Sequence, residues 1–382
     1  MTGKRPGSPA KLSGWPANLL ILAAALLLAE GAARLVYFRV LPRYAQGLGG
    51  GRAVTELMAD GRTTVPQRYL SHPYMLYVNA PGQADAQGRH RTNSMGYRNP
   101  EFLPAKSPGV FRVLVLGGST AFMESIEDTA DTWAAKLESK LNTASKGTRF
   151  EVINAGLPGA VSPEILSGYV LRHRYLQPDL VILDGGNDLL ALAYENYHPE
   201  YTHLRAASNL TLPRPFERTM LRSYLCRLVY ILWLRDMKFV YVNEPYPAER
   251  LDRPAALERV RTVRPAGFER NMDFLIRSIV NDGAQPVLFR FLIARTPYLT
   301  RNRPDLAGTE PIFEAGLPVH NGILRALAGK YGIRFVEPDQ ARFSDDQFRD
   351  CCHLTPDGED VKAGILFDEL AKDPRVAPLV SG

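Results

Sequence analysis

The stretch Phe111-Arg112-Val113-Leu114-Val115-Leu116-Gly117-Gly118-Ser119-Thr120 decides how this chain folds. Phe111 to Leu116 is a short apolar, branched run that stops at a Gly-Gly pair, the pattern of a buried strand entering a tight turn. Working outward, Thr132 to Leu141 has helical spacing, with Trp133, Leu137 and Leu141 on one face. Phe150 to Ile153 reads as a second strand, ending in Asn154-Ala155-Gly156, and Pro163 to Tyr175 as a helix. Leu180 to Leu183 is a third strand, ending in Gly185-Gly186-Asn187-Asp188. Helix Phe268–Val280, strand Pro286–Ile293, helix Asn321–Tyr331, strand Ile333–Val336 and helix Val361–Ala371 follow. Apolar strands alternating with helices predict an α/β fold, a parallel sheet covered on both faces.

Length and composition set the frame. A chain of 382 residues with 45% hydrophobic and 23% charged residues is long enough for one large α/β domain with additions. Its net charge of +6 is spread along the chain, which argues against nucleic acid as a partner. The three cysteines, Cys226, Cys351 and Cys352, form neither a disulfide framework nor a zinc pattern. Adjacent Cys351 and Cys352 bridge only with strain, and read as small side chains beside a loop.

At the N-terminus, Lys4, Arg5 and Lys11 precede an uncharged stretch from Trp15 to Ala29, and the apolar character continues to Phe38. That is about the 20 residues a bilayer requires. Glu30 and Arg34 share a helix face and can pair, while Trp15, Tyr37 and Phe38 suit the two interfaces. The expectation is an uncleaved single-pass anchor over residues 1–43, with the rest of the chain extracytoplasmic, periplasmic or at the cell surface. Secretion after signal-peptide cleavage is the alternative. Residues 44–108 form a linker, with a Gly-rich tether from Gly47 to Gly51 and a small irregular or β-rich segment. The main domain spans 109–375 and carries an insertion at about 190–267. In that insertion Met220 to Val242 is apolar with a roughly helical period, read first as a helix packed on the domain and second as a cap over the substrate site.

Active sites of open α/β sheets gather at the carboxyl ends of the strands. Here those ends carry Gly-Gly-Ser-Thr, Asn-Ala-Gly and Gly-Gly-Asn-Asp, and a late loop carries Asp350-Cys351-Cys352-His353. Each cluster alone is ordinary loop punctuation: Ser119 suits a helix N-cap, and Asn187 suits a turn. Together they supply a hydrolase's parts. Ser119 is a nucleophile once a base takes its proton. His353 is the natural base. Asp350 can hold the imidazole tautomer.

In this order the clusters resemble the SGNH/GDSL hydrolase family, in its membrane-anchored bacterial form. The matching blocks are Val115 to Thr120, Asn154-Ala155-Gly156, Gly185 to Asp188, and Asp350 to Thr355, within roughly Phe111 to Ala371. Gly118 stands where the name-giving motif has Asp. Asn93-Ser94-Met95-Gly96-Tyr97-Arg98 also looks like a segment preceding the core in anchored members, although a tight turn explains it equally well. The resemblance implies a flavodoxin-like doubly wound sheet and a serine esterase that works through an acyl-enzyme on Ser119. It implies oxyanion donors from the backbone of Ser119, the backbone of Gly156 and the side chain of Asn187. Asp188 is expected to brace its loop. No metal or other cofactor is expected. The expected partners are an ester substrate, either an O-acylated or O-acetylated extracytoplasmic polysaccharide or a short-chain ester, and the membrane. Tyr194, Tyr197, Tyr201 and Tyr230 are candidates to stack on sugar faces. An O-acyltransferase using the same triad, a catalytically silent glycan-binding module and a scaffold remain as alternatives.

Overall fold

A computed structural model of the chain describes residues 15–40, 69–72, 74–82, 92–123, 126–193, 197–198, 222–229, 251–295, 301 and 310–381. The Gly47–Gly51 tether, Tyr194, Tyr201 and Tyr230 lie outside the described residues. The chain divides into two units, residues 1–65 with 211–243, and residues 66–210 with 244–382.

In the first unit, helix α1 (Trp15–Leu35) continues as a π-helical turn, Val36–Val40. Residues Asn18–Val40 have a mean hydropathy of 2.1, so this helix is long and apolar enough to cross a membrane. The expected Glu30–Arg34 pair forms, at 3.3 Å. Glu30 also accepts the Ser223 hydroxyl at 2.7 Å and the N–H groups of Tyr224 at 2.9 Å and Leu225 at 3.0 Å. Those N–H groups open the helix Tyr224–Val229 and have no acceptor within it. The described part of the Met220–Val242 segment, expected as a helix packed on the domain, packs on α1, with Leu228 against Ala33.

The second unit opens with an antiparallel ribbon, β1 (Tyr69–His72) and β2 (Leu76–Asn79), within the segment expected to be irregular or β-rich. The main sheet is built from β3 (Val110–Gly117), β4 (Arg149–Asn154), β5 (Leu180–Asp184), β6 (Gln285–Phe289) and β7 (Arg334–Val336). It is parallel throughout, in the order β4-β3-β5-β6-β7. Counted within the sheet this is 2-1-3-4-5, the flavodoxin-like order. The strands carry period-2 alternation between two apolar layers. Val113 and Val115 face α3 (Trp133–Ala144) and α8 (Pro356–Leu370). Leu114 and Leu116 face α4 (Ser162–Leu171), α6 (Ala266–Asn281) and α7 (Glu310–Tyr331). The doubly wound expectation holds.

Several boundaries differ from expectation. Helix α4 stops at Leu171 and a 3-10 turn, His173–Leu176, completes the segment. Strand β6 ends at Phe289, where its last partner on β5 is Asp184, and Gly185 then turns away with φ +62°. Helix α7 starts eleven residues before Asn321, at Glu310, and runs through Pro318. The helix α5 (Arg253–Thr262), with Asp252 as its N-cap, was not anticipated because its sequence has little apolar periodicity.

Polar side chains fix the sheet's edge and the segments around it. Asn99 covers the edge strand β4, donating to the Val152 carbonyl at 2.7 Å and accepting the Asn154 N–H at 2.7 Å. A side chain thus occupies the place of a further strand. The Asn93–Arg98 stretch forms a tight turn closed by Asn93 Oδ1, which accepts the N–H groups of Met95 and Tyr97, both at 3.0 Å. Gly96 has φ +80°, and a Cβ there would lie 2.6 Å from the Asn79 carbonyl oxygen. Arg112, fully buried, joins the carbonyls of Leu103, Pro104 and Leu176 to Glu151 across the start of β3. Replacing it leaves those acceptors stranded, so Arg112→Met is expected to lower stability by about 3 kcal/mol or more in urea unfolding. A loss below about 0.5 kcal/mol, the range of ordinary surface changes, would show that the cluster is not structural.

Candidate active site

The strand order reverses between β3 and β5, and in open α/β sheets ligands bind in the crevice this opens at the carboxyl ends. From β3 the chain passes through Gly117 and Gly118 into a single helical turn, α2 (Ser119–Phe122), whose first residue is Ser119. From β5 it passes through Gly185 and Gly186 to Asn187. A cavity of about 70 Å³ lies there, and Ser119, Gly159, Gly186, Asn187, Phe291 and Cys352 are among its lining residues. Phe291 stacks on Phe313, another wall residue, with ring centroids 5.7 Å apart and planes 3° apart.

The glycines at the strand ends have steric reasons. A Cβ on Gly117 would sit 2.7 Å from the Asp184 carbonyl oxygen, and one on Gly185 would sit 2.7 Å from the Phe291 ring. The cavity's other wall is the loop from β4 to α4, and Asp188 holds it in place. Asp188 accepts the Ser162 N–H at 2.7 Å and the Ser162 hydroxyl at 2.6 Å, while Asn271 donates to the same hydroxyl oxygen at 2.9 Å. The loop bracing expected of Asp188 thus acts across the cavity, on the segment that carries Gly159. Asn187 accepts the Leu189 N–H at 3.2 Å and donates to the Gly185 carbonyl at 3.2 Å.

Asp350 and His353 sit on a tight loop closed by a bridge between Phe348 and Leu354. Asp350 Oδ1 accepts the N–H groups of Cys352 at 3.0 Å and His353 at 2.8 Å. His353 Nδ1 lies 3.0 Å from Oδ1 and 2.8 Å from Oδ2 of the same carboxylate. Burial alone would raise the Asp350 carboxyl. The hydrogen bond and charge of His353, with the two N–H donors, outweigh burial and hold it down at about 2. The sign follows: Asp350 stays ionised down to about pH 2, and its contribution to stability disappears only as pH falls through that value. His353 Nε2 is buried with no hydrogen-bond partner among the described residues. No hydrogen bond links it to Ser119.

Gly156 is not brought to this cavity. Its N–H donates to Asn154 Oδ1 at 2.9 Å, its carbonyl accepts from Asn79, and a Cβ on it would lie 2.4 Å from the Phe122 nitrogen. Gly156 is a packing glycine under α2. From the loop after β4 it is Gly159 that lines the cavity, with φ +79° and an N–H that has no acceptor among the described residues. The Pro158-Gly159 pair was its only sequence signal, and that marks a turn without marking a role. Tyr197, a candidate for sugar stacking, is half-buried and packs with Leu189, Ala256 and Val260.

Behind the cavity lies a charged cluster that sequence reasoning did not detect. Lys362 pairs with Asp184 at 2.7 Å, both almost wholly buried, and its ammonium sits 4.7 Å from the Trp133 ring centroid. Glu359 accepts the Trp133 N–H at 2.8 Å. Burial, only partly offset by Lys362 and by that N–H, pushes the Glu359 carboxyl up to about 8.

No protein-family model matches the sequence, and no curated protein matches it. Solved structures with similar chain courses include the acetyl xylan esterase AlAXEase, at 13% identity and TM-score 0.39, covering 68% of this chain and 100% of that one. TesA matches at 15% identity and TM-score 0.36, over 68% of this chain and 97% of that one. A lipase/acylhydrolase from Enterococcus faecalis matches at 13% identity and TM-score 0.39, over 70% and 97%.

Two outcomes are expected from variants here. Gly156→Ala should disrupt the fold, read as a lowered melting temperature, because the Cβ meets backbone atoms. Glu359 holds its proton longer folded than unfolded, so stability should fall as pH rises from about 4.5 to about 8. Glu359→Gln should flatten that dependence in melting curves across the same range; an unchanged slope would mean another group sets it.

Proposed function

We propose that this chain is a serine esterase, anchored in a membrane by α1, that cleaves short acyl groups from an extracytoplasmic glycan. The observation that carries the catalytic reading is that Ser119, Gly159 and Asn187 line one cavity at the strand-order reversal, while the loop holding the Asp350–His353 pair contributes Cys352 to the same cavity. The apolar span Asn18–Val40 supports the anchor. The modest size of the cavity and its aromatic wall favour a small acyl group.

In this reading Ser119 Oγ attacks the ester carbonyl carbon as its proton passes to His353 Nε2. The carbonyl oxygen becomes an oxyanion, met by the N–H groups of Ser119 and Gly159 and by the Asn187 amide, with Gly159 in the role expected of Gly156. The intermediate collapses, the alcohol leaves with the proton from His353, and an acyl group remains on Ser119. Water then repeats the sequence, giving a carboxylic acid and free Ser119. Asp350 keeps the Nδ1 proton in place and stabilises the imidazolium in both halves.

The test is covalent labelling of the detergent-solubilised full chain by a fluorophosphonate probe. Wild type should label, and Ser119→Ala and His353→Ala should not. On a p-nitrophenyl acetate substrate, Asn187→Ala is expected to lower kcat by on the order of a hundredfold or more at unchanged melting temperature. A folded wild-type protein that fails to label would sink the esterase reading in favour of a silent binding module. Product analysis with an added glycan acceptor separates release to water from transfer.

A further inference from the structure

The two cysteines between Asp350 and His353 play no part in that chemistry, yet they are arranged with some specificity. Side chains of consecutive residues in an extended chain point to opposite sides. Here the chain bends between Phe348 and Leu354, and the sulfurs of Cys351 and Cys352 lie 3.7 Å apart, unbonded. In a tetrahedral zinc site, Zn–S bonds of about 2.3 Å place two thiolate sulfurs about 3.8 Å apart, so the observed spacing is close to one edge of such a tetrahedron. A carboxylate oxygen of Asp350 completes a group of three ligand atoms, all within 4.8 Å of one another. The loop backbone is fixed by the Ala294 N–H on the Cys351 carbonyl at 2.8 Å and by the Asp350 hydrogen bonds already described. Cys352 lines the cavity at Ser119, which gives an ion a way in, and Cys351 is half-buried.

We propose that Cys351, Cys352 and Asp350 form an inhibitory site for a thiophilic divalent cation of the zinc class. The ion displaces one proton from each thiol, which passes to solvent, and forms two metal–thiolate bonds. Asp350 supplies the third ligand and solvent the fourth. The surroundings suit a cation. Lys362, the nearby cation, is already paired with Asp184. Inhibition rests on the esterase reading: a carboxylate that turns to the ion releases His353 Nδ1, and the base loses the partner that fixes its tautomer. The site is a brake on the triad and supplies nothing to hydrolysis.

The experiment uses full-length protein in detergent, reduced with a phosphine and stripped of metal. Added cobalt(II) should produce a thiolate-to-metal charge-transfer band and added zinc(II) should inhibit p-nitrophenyl acetate hydrolysis, both reversed by a chelator. Binding should strengthen as pH rises, because protons are released. Cys351→Ala, outside the catalytic cavity, should keep basal activity, lose the band and weaken zinc inhibition at least about tenfold. The absence of a cobalt thiolate band in the wild type would overturn the proposal without recourse to any variant. Equal zinc inhibition of Cys351→Ala would also overturn it, placing the ion on His353 alone. So would an activity loss that only the reductant, and not the chelator, reverses, since that marks a disulfide. A band in protein that hydrolyses no ester would uphold the metal site and count against the esterase reading instead.

Discussion

Strands β3 and β5 run side by side to their ends, and Gly117 meets the Asp184 backbone so closely that a Cβ would come within 2.7 Å of its carbonyl oxygen. That contact is where the strand order reverses, and the crevice follows from it. Helices after β3 and β5 leave toward opposite faces of the sheet, so the two loops part and their ends stay open to solvent. Ser119 starts the helical turn on one side and Asn187 follows Gly185-Gly186 on the other. A bulkier residue at 117 would push the strands apart and move both groups together. Other features at these strand ends act by holding that opening to a fixed shape.

Polar groups do most of the holding. Asp188 reaches across to Ser162 and fixes the β4–α4 loop, while Asn271 closes the same small network from α6. Below them the Lys362–Asp184 pair sits in an apolar setting, stacked over Trp133 and Phe289. Buried pairs of this kind add little net stability, because desolvation offsets the attraction, but breaking one is costly. They suit a site that needs one arrangement more than it needs a deep energy well. The protonated Glu359 beside them keeps a further negative charge out of the interior near neutral pH.

Asp350 and His353 depend on a different device. Three residues apart on one loop, they meet because Asp350 accepts the backbone N–H groups of Cys352 and His353, which folds the loop back on itself. The same fold draws Cys351 and Cys352 to one side. The Asp350–His353 pair and the thiol pair are thus two consequences of a single turn, which is why an ion on the thiols would reach the carboxylate.

Much of this was legible in the sequence. Strands β3, β4 and β5 announce themselves by branched apolar runs ending in glycine, and helices α3 and α6 by their apolar stripes, because both signals are local and set by backbone period. The positions of Ser119, Asn187, Asp350 and His353 follow from the same punctuation. What the sequence could not supply depends on contacts between distant segments. The sequence places the start of a helix at Asn321, yet α7 begins at Glu310 and runs through Pro318, with the buried ring of His320 bonding the Gly316 carbonyl. Gly156 and Gly159 are equivalent as letters in a loop. Only packing against Phe122 makes the first structural, and only the cavity gives the second its place beside Ser119. The pairing of Lys362 with Asp184 and the docking of Tyr224–Val229 on Glu30 join residues more than 170 positions apart. Such pairs leave no local pattern, since charge burial is decided by what the folded chain brings around each group and not by its neighbours in sequence.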